Sequence, residues 1–151
     1  MFGWIIMTGD KELLTYISEN INMGLTALES LIKDIEKTDN KIKSNIYKAH
    51  EEYKKYQKNC NKLLKKHDVE PSKGSMMSTV MTKMGTKMEF VRDNSDSKIA
   101  ETLVQGYNMG ILDITKKLNN FKGDISREVQ CLAEDYKKMM QSGIESVKGF
   151  L

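Results

Sequence analysis

Proline occurs once in these 151 residues, at position 71. Proline inside a helix removes a hydrogen bond and clashes with the preceding turn, so a chain this poor in it is free to run in long helices. Aromatic residues make up only 7%, which disfavours sandwiches and barrels, and no stretch alternates as a strand does. The two cysteines, Cys60 and Cys131, form neither a metal-ligand spacing nor a disulfide framework, and suit a reducing cytoplasm. Charge of one sign is also missing. With 24 basic and 21 acidic residues the formal net charge is +3, which calls for neither nucleic acid nor an anionic membrane. No apolar run approaches the roughly 20 residues that cross a bilayer. The run Phe2, Trp4, Ile5 and Ile6 has no basic residues ahead of it and falls short of a signal-peptide core. Residues 1–9 therefore read as an apolar tail that packs on the domain or on a second copy. Residues 10–151 read as one soluble domain, long enough to bury a core without staples.

What the chain does have is helical periodicity. Between Asn40 and His67, the residues Ile42, Ile46, Ala49, Tyr53, Tyr56, Cys60, Leu63 and His67 recur at alternating spacings of four and three. This predicts a long helix with one narrow buried seam, which needs neighbours to cover it. Ahead of it, Leu14, Ile17, Ile21, Leu25, Leu28 and Ile35 mark a first helix starting near Asp10, with Asp10 as its N-cap and Asp39 capping the seam helix. So short a connection makes the two helices antiparallel and sets Glu29 near Ala49 and His50. After a loop holding Pro71 and Gly74, the residues Met77, Met81, Met84 and Met88 predict a shorter methionine-rich helix. A third long helix runs from Ser95 or Ser97 to about Phe121, with Ile99, Leu103, Tyr107, Ile111, Ile114 and Leu118 inside. Gly123 suits a left-handed turn and Asp124 the next N-cap. The last helix uses Ile125, Val129, Leu132, Tyr136, Met139 or Met140, Gly143, Val147 and Phe150. The expected fold is all-α: an antiparallel four-helix bundle of two hairpins joined by a long crossover that holds the methionine-rich helix.

Several features invite a functional reading, each beside a plainer one. Met77, Met81, Met84 and Met88 share a helix face and read as packing, as a partner-binding groove, or as soft copper(I) ligands. Gly106 and Gly110 each cost about 1 kcal/mol against alanine in mid-helix. They read as sites of close helix packing, with Gly24 opposite, or as a small cavity for an apolar ligand. Lys54, Lys55, Lys58, Lys62, Lys65 and Lys66 surround Tyr53 and Tyr56 as a single-strand binder would arrange them. Both tyrosines belong to the buried seam, however, so the lysines read as a solvated face. Cys60 and His67 are two turns apart, about 10.5 Å along the helix, too far for a nucleophile and its base.

The stretch from Ile99 to Ile111, with Glu101, Gln105, Gly106, Tyr107 and Gly110, resembles small bacterial ferritin-like proteins of unknown function, and the two hairpins with a crossover resemble the ferritin-like superfamily. Metal-binding members use a Glu on two helices and Glu-x-x-His on the other two. Here Tyr47 stands three residues before His50, and Leu64 three before His67, so that ligand set does not carry over. The departure argues for a non-catalytic bundle without cofactor, acting as a structural or protein-interaction module. The apolar tail at Phe2–Ile6 and the Met stripe offer more apolar surface than four helices need, so a homodimer is the expected assembly, and the near-balanced charge and lack of a spanning segment predict neither nucleic acid nor membrane as partner. The alternative is a metal-binding or redox bundle with a non-standard site near Glu29, His50, Asp113 and Asp135.

Overall fold

Apolar residues at three- and four-residue spacing set the long helices of the chain. The computed structural model describes residues 9–71 and 94–151, so the methionine stripe at 77–88 and the tail at 2–6 lie outside the described residues. Within them are α1 (Asp10–Ile35), α2 (Lys43–Lys66), α3 (Asp96–Asn120) and α4 (Arg127–Val147), closed by a 3₁₀ turn at Lys148–Phe150. No strand occurs among the described residues, and none of their helices is long and apolar enough to cross a membrane. Most of the expected stripe positions are buried: Leu14, Ile17, Ile21 and Ile35 of α1, Ile46 and Cys60 of α2, Ile99 and Ile114 of α3, and Val129 and Tyr136 of α4 are solvent-free. In α2 the fully buried residue near the end is Leu64 and not Leu63, which with Ala49 and Tyr56 only flanks the core, as Leu103, Ile111 and Leu118 do in α3.

The helix starts differ from expectation in an instructive way. Asp10 is the first residue of α1 and does not cap it; its carboxylate instead accepts the backbone N–H of Ser126, just before α4, at 2.7 Å. Asp39 does not cap α2, which begins only at Lys43 without a side-chain cap of its own. Asp96, the first residue of α3, accepts the N–H groups of Lys41 at 3.2 Å and Ile42 at 3.5 Å. The Asn40 amide also donates to Asp96 at 2.8 Å, and this bond is the main reason the Asp96 carboxyl is held below its usual range. Each hairpin therefore opens on an aspartate that serves the second helix of the other hairpin. The last helix starts later than expected, because Ser126 and not Asp124 accepts from its first turn. Asp124 closes a tight turn onto Phe121, with Gly123 at φ 87° as expected.

α2 ends in a Schellman motif. Asp68 takes φ 56°, the Val69 N–H reaches the Leu64 carbonyl at 2.9 Å and the Asp68 N–H reaches that of Lys65 at 3.0 Å, which satisfies carbonyls the helix would otherwise leave open. Together the caps define the topology. α1 starts, α2 ends and α4 starts at one end of the bundle; the α1–α2 connection and the start of α3 share the other. α1 packs on α2 and α3 on α4, while α1 also lies along α3 and α2 along α4.

Glycine in these helices makes room for large side chains. A Cβ at Gly24 would sit 2.5 Å from Tyr53 Cε1, and one at Gly143 would sit 2.6 Å from Tyr107 Cζ. A close approach of helix backbones, expected at Gly106 and Gly110 with Gly24 opposite, is found at neither. Gly110 is filled by the Met140 thioether, and Gly106 is exposed, with no described atom within 4 Å of a Cβ. Gly106→Ala should therefore stabilise the protein by about 1 kcal/mol, the full helix-propensity gain. Gly24→Ala and Gly143→Ala should each destabilise by about 1–3 kcal/mol, because overpacking against a rigid ring outweighs that gain. Urea unfolding of the three variants checks both signs.

Candidate functional site

Halfway along the bundle the buried stripes of α2, α3 and α4 each present a tyrosine, and the three meet. Tyr53 stacks on Tyr107 with ring centroids 6.4 Å apart and meets Tyr136 edge-on at 5.9 Å; Tyr56 tilts against Tyr136 at 5.6 Å. Such pairs contribute about 0.5–1.5 kcal/mol each beyond their burial. A buried hydroxyl needs a partner, and α1 provides one: the Tyr136 hydroxyl donates to the Asn20 side-chain oxygen. Nearer the Asp10 end, Tyr16 donates to Asp113 at 2.9 Å, with the Lys117 ammonium 4.9 Å above its ring. Tyr56 donates to the Asp135 carbonyl at 3.2 Å. Burial pushes the phenols up: Tyr107 to about 12, and Tyr53 and Tyr136 well above their ordinary value. These phenols stay neutral at ordinary pH and offer hydrogen bonds without charge.

Two grooves flank this tyrosine layer on opposite faces. Between α1 and α3 lies a cavity of about 110 Å³ bounded by Met23, Gly24, Ala27, Leu103 and Gly106, with Tyr53 and Tyr107 at its back; no charged residue lines it. Between α2 and α4 lies a larger one of about 460 Å³, bounded by Lys48, Glu52, Tyr56, Asp135, Lys138 and Ser142 among others. Tyr107 lines both. Its ring crosses from α3 to α4, where Gly143 leaves the space for its hydroxyl end.

The four residues of the non-standard metal reading do not come together. His50 Nε2 and Glu29 Oε1 do meet, at 3.3 Å, as the antiparallel pairing predicts. Asp113, however, lies at the level of Tyr16, 13 residues before Glu29 on α1 and so roughly 20 Å away along the axis. Asp135 lies at the level of Tyr56, in the middle of the bundle. No group of three or more His, Cys, Asp or Glu among the described residues has the spacing to hold a metal ion. Cys60 is buried and its thiol, pushed up to about 12 by burial, donates to the Leu14 carbonyl at 3.5 Å; Cys131 is exposed, and both are free. Of the lysine patch, Lys66 pairs with Glu128 at 2.9 Å on the surface, as a solvated face does.

The tyrosine layer was not anticipated as a unit, although each tyrosine stands on a stripe the spacing marks as buried. The mid-helix glycines were the available signal, since Gly24 and Gly143 are the gaps that two of the rings fill. The comparisons add no neighbour: no family model, no curated protein and no solved structure matches the chain.

Proposed function

We propose that this protein is a ferritin-like four-helix bundle that acts in the cytoplasm as a non-catalytic interaction module, and that a second copy of the chain is its partner at the α1–α3 face. The apolar groove of that face carries the reading. It is lined without charge and is smaller than the roughly 300–1,000 Å³ of small-molecule sites, so it suits a methionine or leucine side chain from a facing surface. Further along the same helix, α3 exposes Met109 at 40% and Leu112 at 55%, apolar side chains outside the core. A self-complementary patch of knob beside hole is what a two-fold dimer uses.

The ferritin-like part rests on chain direction: α2 finishes at the opposite end of the bundle from the start of α3, as a crossover between two hairpins requires. The non-catalytic part rests on the residues at the centre, where phenol rings stand in place of the carboxylates and imidazoles of di-metal bundles. Two free thiols suit a reducing compartment.

Sedimentation over a range of concentrations tests the reading. The wild type should dimerise. Met109→Lys combined with Leu112→Lys, at exposed positions that leave the core intact, should weaken dimerisation by about tenfold or more. A wild-type monomer at the highest concentration, or a double variant that dimerises as well as the wild type, overturns it.

A further inference from the structure

The groove between α2 and α4 has a hydrogen-bond donor on its floor. Tyr107 is 4% exposed, yet its hydroxyl has no hydrogen-bond partner among the described residues, whereas Tyr16, Tyr56 and Tyr136 all donate. That hydroxyl emerges beside Gly143 on the groove floor, at a place where any side chain on α4 would cover it: a Cβ there would lie 2.9 Å from the oxygen. The oxygen is not among the fully buried atoms left without a partner in the described residues; a mid-helix glycine keeps it open to the groove, where it can donate to whatever enters.

The surroundings define what would meet it. Lys48 and Lys138 line the groove, and neither forms an ion pair within the described structure. Asn45 donates to the Ser146 carbonyl at 3.1 Å across the groove's end, which places Lys48 of α2 and Gly143 of α4, each one turn further in, at the same level. An ammonium and a phenol O–H thus line the same stretch of the groove, both able to donate to an oxyanion. Beyond them the floor is Ala49, Met139 and the Tyr56 ring, which suits a carbon skeleton. Glu52 and Asp135 on the same walls oppose a second negative charge. The volume of about 460 Å³ falls within the range of ligand-binding cavities.

We propose that this groove binds a small organic monocarboxylate with an apolar or aromatic body, its carboxylate on the Tyr107 hydroxyl and the Lys48 ammonium. The proposed dimer face lies on the opposite side of the bundle, and the two grooves share the Tyr107 ring between them. Because burial holds the phenol neutral up to about 12, it donates throughout the physiological range.

The test is titration of the full-length protein with phenylpropionate, followed by calorimetry and by amide chemical shifts, with phenylpropylamine and inorganic phosphate as comparison probes. Phenylpropionate should bind and shift amides on both sides of Gly143 and Lys48, while the amine and phosphate bind at least about tenfold more weakly. Tyr107→Phe keeps the buried ring and deletes only the donor; Lys48→Gln changes an exposed side chain and leaves the core untouched. Each should weaken phenylpropionate by about tenfold, the worth of a hydrogen bond to a charged group. Circular dichroism confirms that each variant is folded, and Lys48→Gln decides the matter alone if Tyr107→Phe unfolds. Absence of phenylpropionate binding at millimolar concentration, equal binding of the amine, or unchanged affinity in a folded variant overturns the proposal.

Discussion

Replacing His67 by alanine should cost the fold about 3–5 kcal/mol, the usual penalty for removing one partner of a buried pair. The ring is 4% exposed and Asp10 wholly buried. Nδ1 faces the Leu63 carbonyl at 2.8 Å and Nε2 faces Asp10 Oδ2 at 3.0 Å. Both ring nitrogens thus meet oxygens inside the bundle, and ring and carboxylate satisfy each other away from water. The other Asp10 oxygen takes the Ser126 N–H at 2.7 Å. One pair of side chains thus ties the start of α1, the end of α2 and the start of α4. Asp10→Ala should cost a similar amount. A double variant, Asp10→Ala with His67→Leu, should cost less than the two single changes together, because apolar replacement of both partners strands neither. Urea unfolding of the three variants as a cycle measures the coupling. A single-variant loss below about 1 kcal/mol would remove the pair from any structural role.

The second large effect is alkaline unfolding. Burial raises Tyr53, Tyr107 and Tyr136 above the ordinary tyrosine value, so the native state holds their protons when the unfolded chain has released them. Stability from this source is complete below about pH 10 and is lost as pH rises through and beyond that value. Each such tyrosine removes about 1.4 kcal/mol per pH unit in that window, so the three together remove about 4. Against a total stability of about 5–15 kcal/mol, the bundle should unfold cooperatively between about pH 10 and pH 12. Tyrosinate absorbance and helical circular dichroism should change at the same pH. Phenols titrating gradually, with helicity intact, would show that the layer is open to solvent. Tyr136→Phe should move the transition to higher pH while lowering stability at neutral pH, where the Asn20 oxygen loses its donor.

The helices were legible in the sequence because their signal is local. A stripe such as Leu14, Ile17, Ile21 and Leu28 repeats with the period of the helix itself, and the short 36–42 connection forces the antiparallel pairing that sets His50 against Glu29. The caps were misread for the opposite reason. Asp10, Asp39 and Asp124 all stand where a local rule puts an N-cap, but the first accepts from another hairpin, the second is displaced by Asp96, and the third belongs to a turn. A rule that looks three residues ahead is blind to a partner tens of residues away. The glycines divide in the same manner: Gly24 and Gly106 look alike in sequence, yet one faces a tyrosine and the other solvent, and only the register between helices tells them apart. Asp113 and Asp135 failed to join Glu29 and His50 because helix flank was read without axial height. The Tyr107 hydroxyl on the groove floor had a trace in Gly143, legible only once the two were known to touch.

The exchanged aspartates have a last consequence. Asp10 completes a helix start in the second half of the chain, and Asp96 completes one in the first. Either half by itself would carry frayed backbone amides at one end and a carboxylate with nothing to hold. Reciprocal dependence of this kind couples the two halves: the molecule should melt as a single unit, and a severed half should regain its shape only in the company of its complement.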